Sequence, residues 1–330
     1  MWKVPLKLAE RLEREKVREG KILAAVSGGA DSLALLHGLR ECGPELRLEM
    51  TAAHLNHQLR GVESNADAAW LEQTCAGFNV PLVVGRAAVT AAADAAGDGI
   101  EEAARRLRYE FLCQTARETG CRWVAVAHSA DDQAETILHH VIRGTGLAGL
   151  RGMPFSRELQ PGIQLIRPLL DVSRTELRNY LAEMGQNFRE DSSNSDPAYT
   201  RNRIRQVLLP LLEEDFNPQV GTALRRLGQQ AADMQTALET IAHDLLERVL
   251  ESETPHECRL KWQPLAGSPR HLLRELFAVL WRRRGWTRQA MTFDHWDQLA
   301  EIAQSGGAAN FPGGLEIRRE GRAVLIRKPS

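Results

Sequence analysis

Two stretches of the chain gather residue types that handle phosphate and protons. The first is Ser27-Gly28-Gly29-Ala30-Asp31-Ser32. Adjacent glycines allow a tight turn and close backbone approach to a ligand, and a helix starting near Asp31 would aim its unpartnered N–H groups at an anion. Ser27 and Ser32 add hydroxyl groups. The plain alternative is a helix cap, for which Ser and Asp are favoured whatever a protein does. The second stretch is His128-Ser129-Ala130-Asp131-Asp132-Gln133-Ala134-Glu135-Thr136. On a helix, His128, Asp132, Glu135 and His139 would share one face. Carboxylates so placed can grip an ammonium ion, hold Mg²⁺ or accept a proton. Asp131 and Asp132 would equally well complement a helix dipole.

Three smaller groups follow the same logic. His54, Asn56 and His57 in HLNHQLR end an apolar run, where they could touch a base or a phosphate; with no thiol nearby, a metal site is the weaker reading. Glu101 to Tyr109, EEAARRLRY, is acidic first and basic last, which reads as dipole complementation. In Thr200-Arg201-Asn202-Arg203-Ile204-Arg205 a helix would place Arg201 and Arg205 on one face and turn Arg203 away. Planar guanidinium forks suit phosphates and carboxylates.

These residues need a frame. An apolar strand, Ile22 to Val26, precedes the SGGADS loop and a leucine-rich helix follows it. Strands are then expected at 48–55, 80–84 and 123–127, alternating with helices at 66–78, 101–119 and 131–143. Such alternation predicts an α/β fold with a doubly wound parallel sheet, whose ligands collect at the carboxyl ends of strands. SGGADS and His128 both fall there. Beyond Gly144 come GTGLAGLRGMP, RPLL, a helix at 174–184, and a polar, turn-rich segment at 187–199 that reads as a functional loop. After a break at 216–218, apolar residues at Val220, Leu224, Leu227, Ala231, Met234, Leu238, Ile241 and Leu245 step by four and three. That seam is read first as packing within one chain and second as a homodimer contact. The remainder combines a basic helix, a helix at 293–304 and a C-terminal hairpin, a small α+β domain. The expected domains are 1–215, a helical linker at 216–255, and 256–330.

Composition narrows the class. The 330 residues, 43% hydrophobic and 26% charged, suit a globular protein of two or three domains. No apolar run approaches a membrane span, and the charged, amphipathic start is unlike a secretory signal, so no membrane partner and a cytoplasmic location are expected. Five cysteines without a CxxC pair suggest neither a zinc ribbon nor a disulfide framework. A net charge of −1 argues against a protein that coats nucleic acid indiscriminately. Locally, six arginines between Arg270 and Arg288 face one acid, Glu275, and interleave with Trp281 and Trp286. Such a surface suits phosphates and stacked bases; the plainer reading is a solvated helix packing Leu272, Leu273, Leu276 and Leu280 inward.

SGGADS, HLNHQLR, EEAARRLRY, HSADDQAET with RGTGLAGLRGM, RPLL and EDSSNSDPAYTRNRIR, in that order, resemble the tRNA(Ile)-lysidine synthases of the PP-loop ATP pyrophosphatase superfamily. The match is close over about 20–215 and weaker beyond, where the chain ends earlier than longer members. One departure is Ser129, where the family commonly has a second histidine. The resemblance implies an adenine nucleotide α hydrolase-like fold and a C-terminal tRNA-binding domain. It further implies ATP-dependent ligation of free L-lysine to C2 of the wobble cytidine in a CAU-anticodon tRNA(Ile), with Mg²⁺ assisting. On this reading Ser27, Gly28, Gly29, Ala30, Asp31 and Ser32, with His54, Asn56 and His128, hold the nucleotide. Asp132 and Glu135 bind and deprotonate the lysine amine, Asp31 positions metal or nucleophile, and Arg201 or Arg205 contacts the activated cytidine. The loop lacks the GK[ST] ending of a Walker motif, which suits α–β cleavage. The rivals are a sulfur-transferring PP-loop enzyme, which would need paired cysteines, and a non-catalytic tRNA-binding protein.

Overall fold

In the computed structural model, residues 3–59, 61–189 and 200–328 are described; Arg60 and most of the polar segment expected at 187–199 lie outside them. The chain forms two compact units, Met1–Gly228 and Gln229–Ser330.

The first unit begins with α1 (Lys3–Arg14), β1 (Gly20–Ala25), α2 (Ala30–Cys42), β2 (Leu48–Asn56), α3 (Val62–Gly77) and β3 (Leu82–Arg86). It continues through α4 (Val89–Ala96), α5 (Ile100–Thr119), β4 (Trp123–Ala125), α6 (Ala130–Ile142) and α7 (Leu147–Leu150). The strands pair in the order β3-β2-β1-β4 and then β6 (Ile163–Ile166) and β5 (Ser156–Gln160). All neighbours run parallel except β5, which folds back on β6. The sheet is therefore doubly wound with one antiparallel edge. That hairpin was not legible in the sequence, because β6 is only four residues long and too short for its alternation to stand out. α8 (Arg174–Glu183) follows; after the undescribed segment come α9 (Thr200–Arg203), a π-turn (Ile204–Leu208) and α10 (Leu209–Asp215).

β1 shows why the sheet is buried on both faces. Its period of two sends Ile22 and Ala24 into a core with Leu8, Leu33, Leu36 and Leu177, and sends Leu23 and Ala25 into another with Leu112, Ala116 and Val124. The chain leaves β1 toward β2 and β3 and returns to β4 on the other side. This reversal opens a crevice at the carboxyl ends of β1 and β4, where ligands of such sheets bind.

The second unit contains most of α11 (Val220–Val249), with β7 (Leu250–Glu253), β8 (Glu257–Lys261), α12 (Trp262–Ala266), α13 (Arg270–Arg283) and α14 (Phe293–Ser305). It closes with β9 (Ala308–Phe311), β10 (Leu315–Glu320) and β11 (Ala323–Arg327), in an antiparallel sheet ordered β7-β8-β11-β10-β9. Two expectations change here. Leu227, Met234 and Ile241 of the supposed seam are exposed, while Ala231, Gln235, Ala242, Leu246 and Val249 are buried, so the packed stripe is offset from the apolar one. The basic helix takes its plainer reading. Trp281 and Trp286 are buried and meet edge-on, with Trp296 against Trp281, as core rather than a stacking platform. Arg274 pairs with Asp297, Arg283 with Glu247, and Arg284 with Glu253. Among the described residues no helix is long and apolar enough to cross a membrane.

Candidate active site

The SGGADS loop links β1 to α2. Gly28 sits at φ +91°, a conformation open to glycine, and Gly29 is the extended N-cap of α2 with no side chain capping it. The Ser32 hydroxyl turns inward: it donates to the Gly29 carbonyl (2.9 Å) and accepts from the Ser27 N–H (3.1 Å). Ser32 thus braces the loop instead of standing out as a ligand donor. The first turn of α2, starting at Ala30, presents its backbone N–H groups as an anion site.

Beside this loop lies a cavity of about 280 Å³, lined by Ser27, His54, Asn56, Asp67 and Arg108 among others. His54 donates from Nδ1 to the Val26 carbonyl at 2.9 Å, and burial pulls its pKa below the ordinary value, so the ring is neutral. Asn56 spends its amide on Ser64 and Asn65 (3.1 and 3.0 Å), which makes it a shaper of the cavity wall. Arg108, the last arginine of EEAARRLRY, reaches this cavity, whereas Glu101 and Arg105 of the same helix line another. The sequence motif that read as dipole complementation therefore serves two pockets.

The second pocket, about 600 Å³, is bounded by His128, Glu135, His139, Arg105, Arg167 and Arg201 among others. His128 precedes α6, whose N-cap is Ser129 in a reciprocal capping box with Asp132. Ser129, standing where a histidine was expected by resemblance, thereby sets the start of the helix. Arg167 of RPLL donates to His128 Nδ1 (3.2 Å) and to the Pro154 carbonyl (2.8 Å). Burial takes the His128 pKa down to about 3; Asp132 opposes this, and Arg167 and Arg108 add to it. The imidazole is neutral, with its proton on Nε2. Gln133 straps the glycine-rich segment to α6 by accepting from the Met153 N–H (2.8 Å) and donating to the Met153 carbonyl (3.0 Å).

At the wall of this second pocket the expected acidic and basic residues meet. Asp132 and Glu135 are buried on α6. Arg201 donates to both (3.2 Å each), and Arg205 reaches Glu135 at 2.7 Å and Asp132 at 3.0 Å. Arg203 is exposed, as its place on the helix requires. A third cation, Arg174 at the start of α8, was not singled out by sequence reasoning. It touches Asp132 at 2.6 Å, Glu135 at 2.8 Å and Asp31 at 3.5 Å. No local pattern marks Arg174; its position follows from the N-terminus of α8 docking on Asp131, which accepts its backbone N–H at 2.8 Å.

The acids in this cluster differ. Burial alone would raise the Asp132 carboxyl, yet Arg174, Arg201 and the Ser129 N–H outweigh it and hold the pKa at about 2. Burial pushes Asp31 up to about 6, with Arg174 pulling down and Asp132 and Asp131 pushing up. Asp132 is thus a permanent anion near neutral pH and Asp31 a group able to take a proton. Among the described residues no three His, Cys, Asp or Glu side chains gather as a metal cage. The five cysteines are all free and buried.

The PP-loop domain family matches residues 4–212. A tRNA(Ile)-lysidine synthase from Rhodopirellula baltica is 36% identical over 92% of this chain and 90% of its own length. One from Geobacter sulfurreducens is 37% identical over 93% of this chain and 65% of its own length, and one from Porphyromonas gingivalis is 47% identical over 65% and 46%. The chain thus spans nearly all of the first relative and about half to two thirds of the others. Among solved structures, the U34-tRNA thiolase NcsA from Methanococcus maripaludis shares the fold, with a TM-score of 0.57 at 16% identity over 69% of this chain and 77% of that one.

Proposed function

Because the chain belongs to the tRNA(Ile)-lysidine synthase family, ATP-dependent ligases built on the PP-loop domain, we propose that it joins free L-lysine to C2 of the wobble cytidine in a CAU-anticodon tRNA(Ile). The product would read AUA instead of AUG, and the tRNA would accept isoleucine instead of methionine. The observation that carries this reading is a pair of buried carboxylates, Asp132 and Glu135, filled with cations and placed one residue contact from the phosphate loop through Arg174 and Asp31.

In the first step the cytosine O2 attacks the α-phosphorus of ATP, the bond to the α–β bridging oxygen breaks, and diphosphate leaves. Gly28, Gly29 and Ala30 with the start of α2 hold the departing diphosphate by backbone N–H groups, while Ser27, whose N–H is taken by Ser32, shapes the loop. Mg²⁺ carried with the nucleotide would offset the phosphates' charge. The adenosine side fits the cavity of Ser27, His54 and Arg108, and the cytidine fits the pocket of His128, Arg167 and Arg201.

In the second step the lysine ε-nitrogen attacks C2, the C2–O2 bond breaks, and AMP carries the oxygen away. An ammonium with a pKa of about 10.4 is not a nucleophile at neutral pH. Asp132 and Glu135 bind it, and Asp31 is the carboxyl suited to accept its proton. We assign the C-terminal unit to holding the tRNA, and a tRNA substrate is what supports reading the reaction as cytoplasmic.

Incubation with ATP, labelled lysine and a CAU-anticodon tRNA transcript tests the proposal. Label in the tRNA with one AMP per lysine is the expected result; diphosphate release without lysine incorporation would overturn it.

A further inference from the structure

We propose that Arg174 is a positioning residue that holds the carboxylates of Asp31, Asp132 and Glu135 together as one amine site, leaving Arg201 and Arg205 as the cations that the substrate amine displaces. This rests on the lysine-ligating reading above.

Three guanidiniums share Asp132 and Glu135, but they are held differently. Arg174 is the first residue of α8, a helix fixed at its start by the capping box of Ser173 and Glu176 and anchored in the core by Leu177, Tyr180 and Leu181. Its own N–H is engaged by Asp131. This one residue therefore touches Asp31, which follows β1, and Asp131, Asp132 and Glu135, which follow β4. Arg201 stands on α9 and Arg205 on the π-turn, which run on without a break into α10. Their side chains are 37% and 27% exposed, against 22% for Arg174.

Charge favours the same division. The oxygens of Asp132 and Glu135 that an ammonium would need are occupied by Arg174, Arg201 and Arg205, so its entry requires one guanidinium to withdraw. Replacing Arg201 or Arg205 with the substrate ammonium leaves the net charge of the cluster unchanged. Replacing Arg174 would strip Asp31 of the one guanidinium that reaches it among the described residues. It would also separate the phosphate loop from the amine site.

The test separates the two half-reactions. For R174M, the KM for lysine rises about 30-fold, the scale of losing charge-assisted hydrogen bonds, while tRNA-dependent diphosphate release in a single turnover without lysine falls by clearly less than lysine transfer does. R174K restores part of the lysine KM, because an ammonium still neutralises the carboxylates. R205M moves the lysine KM the other way or leaves it unchanged, since a competitor has been removed. An unchanged lysine KM in R174M, diphosphate release falling as far as lysine transfer, or R205M raising the lysine KM as much as R174M would each overturn the assignment. Thermal melts accompany both variants; if R174M does not fold, R174K decides, with a raised lysine KM and intact diphosphate release expected and an unchanged KM overturning. A wild-type protein that activates tRNA and never incorporates lysine would sink the ligase reading itself, a result distinct from any of these.

Discussion

Arg174 and Asp132, separated by 42 residues in sequence, meet at 2.6 Å between Nη2 and Oδ1. The contact joins the helix that carries the acidic pair to a helix whose sequence announces only a capping box. It also brings Asp31 within 3.5 Å of the same guanidinium, so the phosphate loop and the amine site share one ionic cluster.

Glu135 accepts hydrogen bonds from Arg174, Arg201 and Arg205 and is almost wholly buried. Glu135→Gln keeps the shape and removes the charge. We expect ATP binding to remain within about 2-fold of wild type and the lysine KM to rise by about 10- to 100-fold, the worth of one charged hydrogen-bond partner. Initial-rate kinetics with lysine and ATP varied in turn check this; normal lysine dependence contradicts the role.

Asp31 gives a pH-dependent prediction of defined sign. Its folded-state pKa of about 6 lies above the ordinary 3.8, so ionisation opposes folding. Its contribution to stability is complete below 3.8 and lost as pH rises through about 6. Asp31→Asn should therefore raise the melting temperature at pH 8, at about 2–4 °C per kcal/mol, and not at pH 4. The same variant should lose lysine transfer by about 10²- to 10⁴-fold, the range for a general base, and the wild-type rate of that step should climb with pH through 6. A flat rate profile from pH 5 to 8 would rule Asp31 out as the proton acceptor.

Gly28 adopts φ +91°, and a Cβ there would meet nothing closer than 3.8 Å. The penalty of Gly28→Ala is thus backbone strain, about 1–2 kcal/mol, with no steric clash added. Because the strained turn aims the loop at the phosphates, the KM for ATP should rise while the lysine KM holds. Equal effects on both substrates would show that the loop does more than grip diphosphate.

Trp281 is fully buried against Phe277, Trp286 and Trp296. Trp281→Ala should cost about 3–5 kcal/mol and lower the unfolding midpoint of the C-terminal unit. Weakened tRNA binding with an undiminished midpoint would restore the base-stacking reading of the basic helix.

Local signals carried much of this protein. The SGGADS turn needs glycine at Gly28 because of its own dihedral, and strand–helix alternation places it at the end of β1 whatever surrounds it. Asp132 with Glu135, and Arg201 with Arg205, lie on common faces by helical periodicity alone. The order of the motifs then pointed to one family. Signals that depend on a partner were illegible: the β5–β6 hairpin is too short to show its alternation, and apolar spacing on α11 could not say which stripe would find a core. The same limit applied to Trp281 and Trp286, whose burial is set by Trp296 and the sheet behind them.

What the sequence by itself determined is therefore the chemistry available, a phosphate loop, an acidic pair and an arginine pair, each encoded within a few residues. Only the tertiary structure decided how they combine. It set Arg174 among three carboxylates, drew Arg108 and Arg105 of one helix into different pockets, and moved the pKa values of Asp31 and Asp132 apart to about 6 and about 2. The reason is physical: periodicity and capping act over one or two turns, whereas burial and charge–charge coupling depend on which distant elements are brought within a few ångströms.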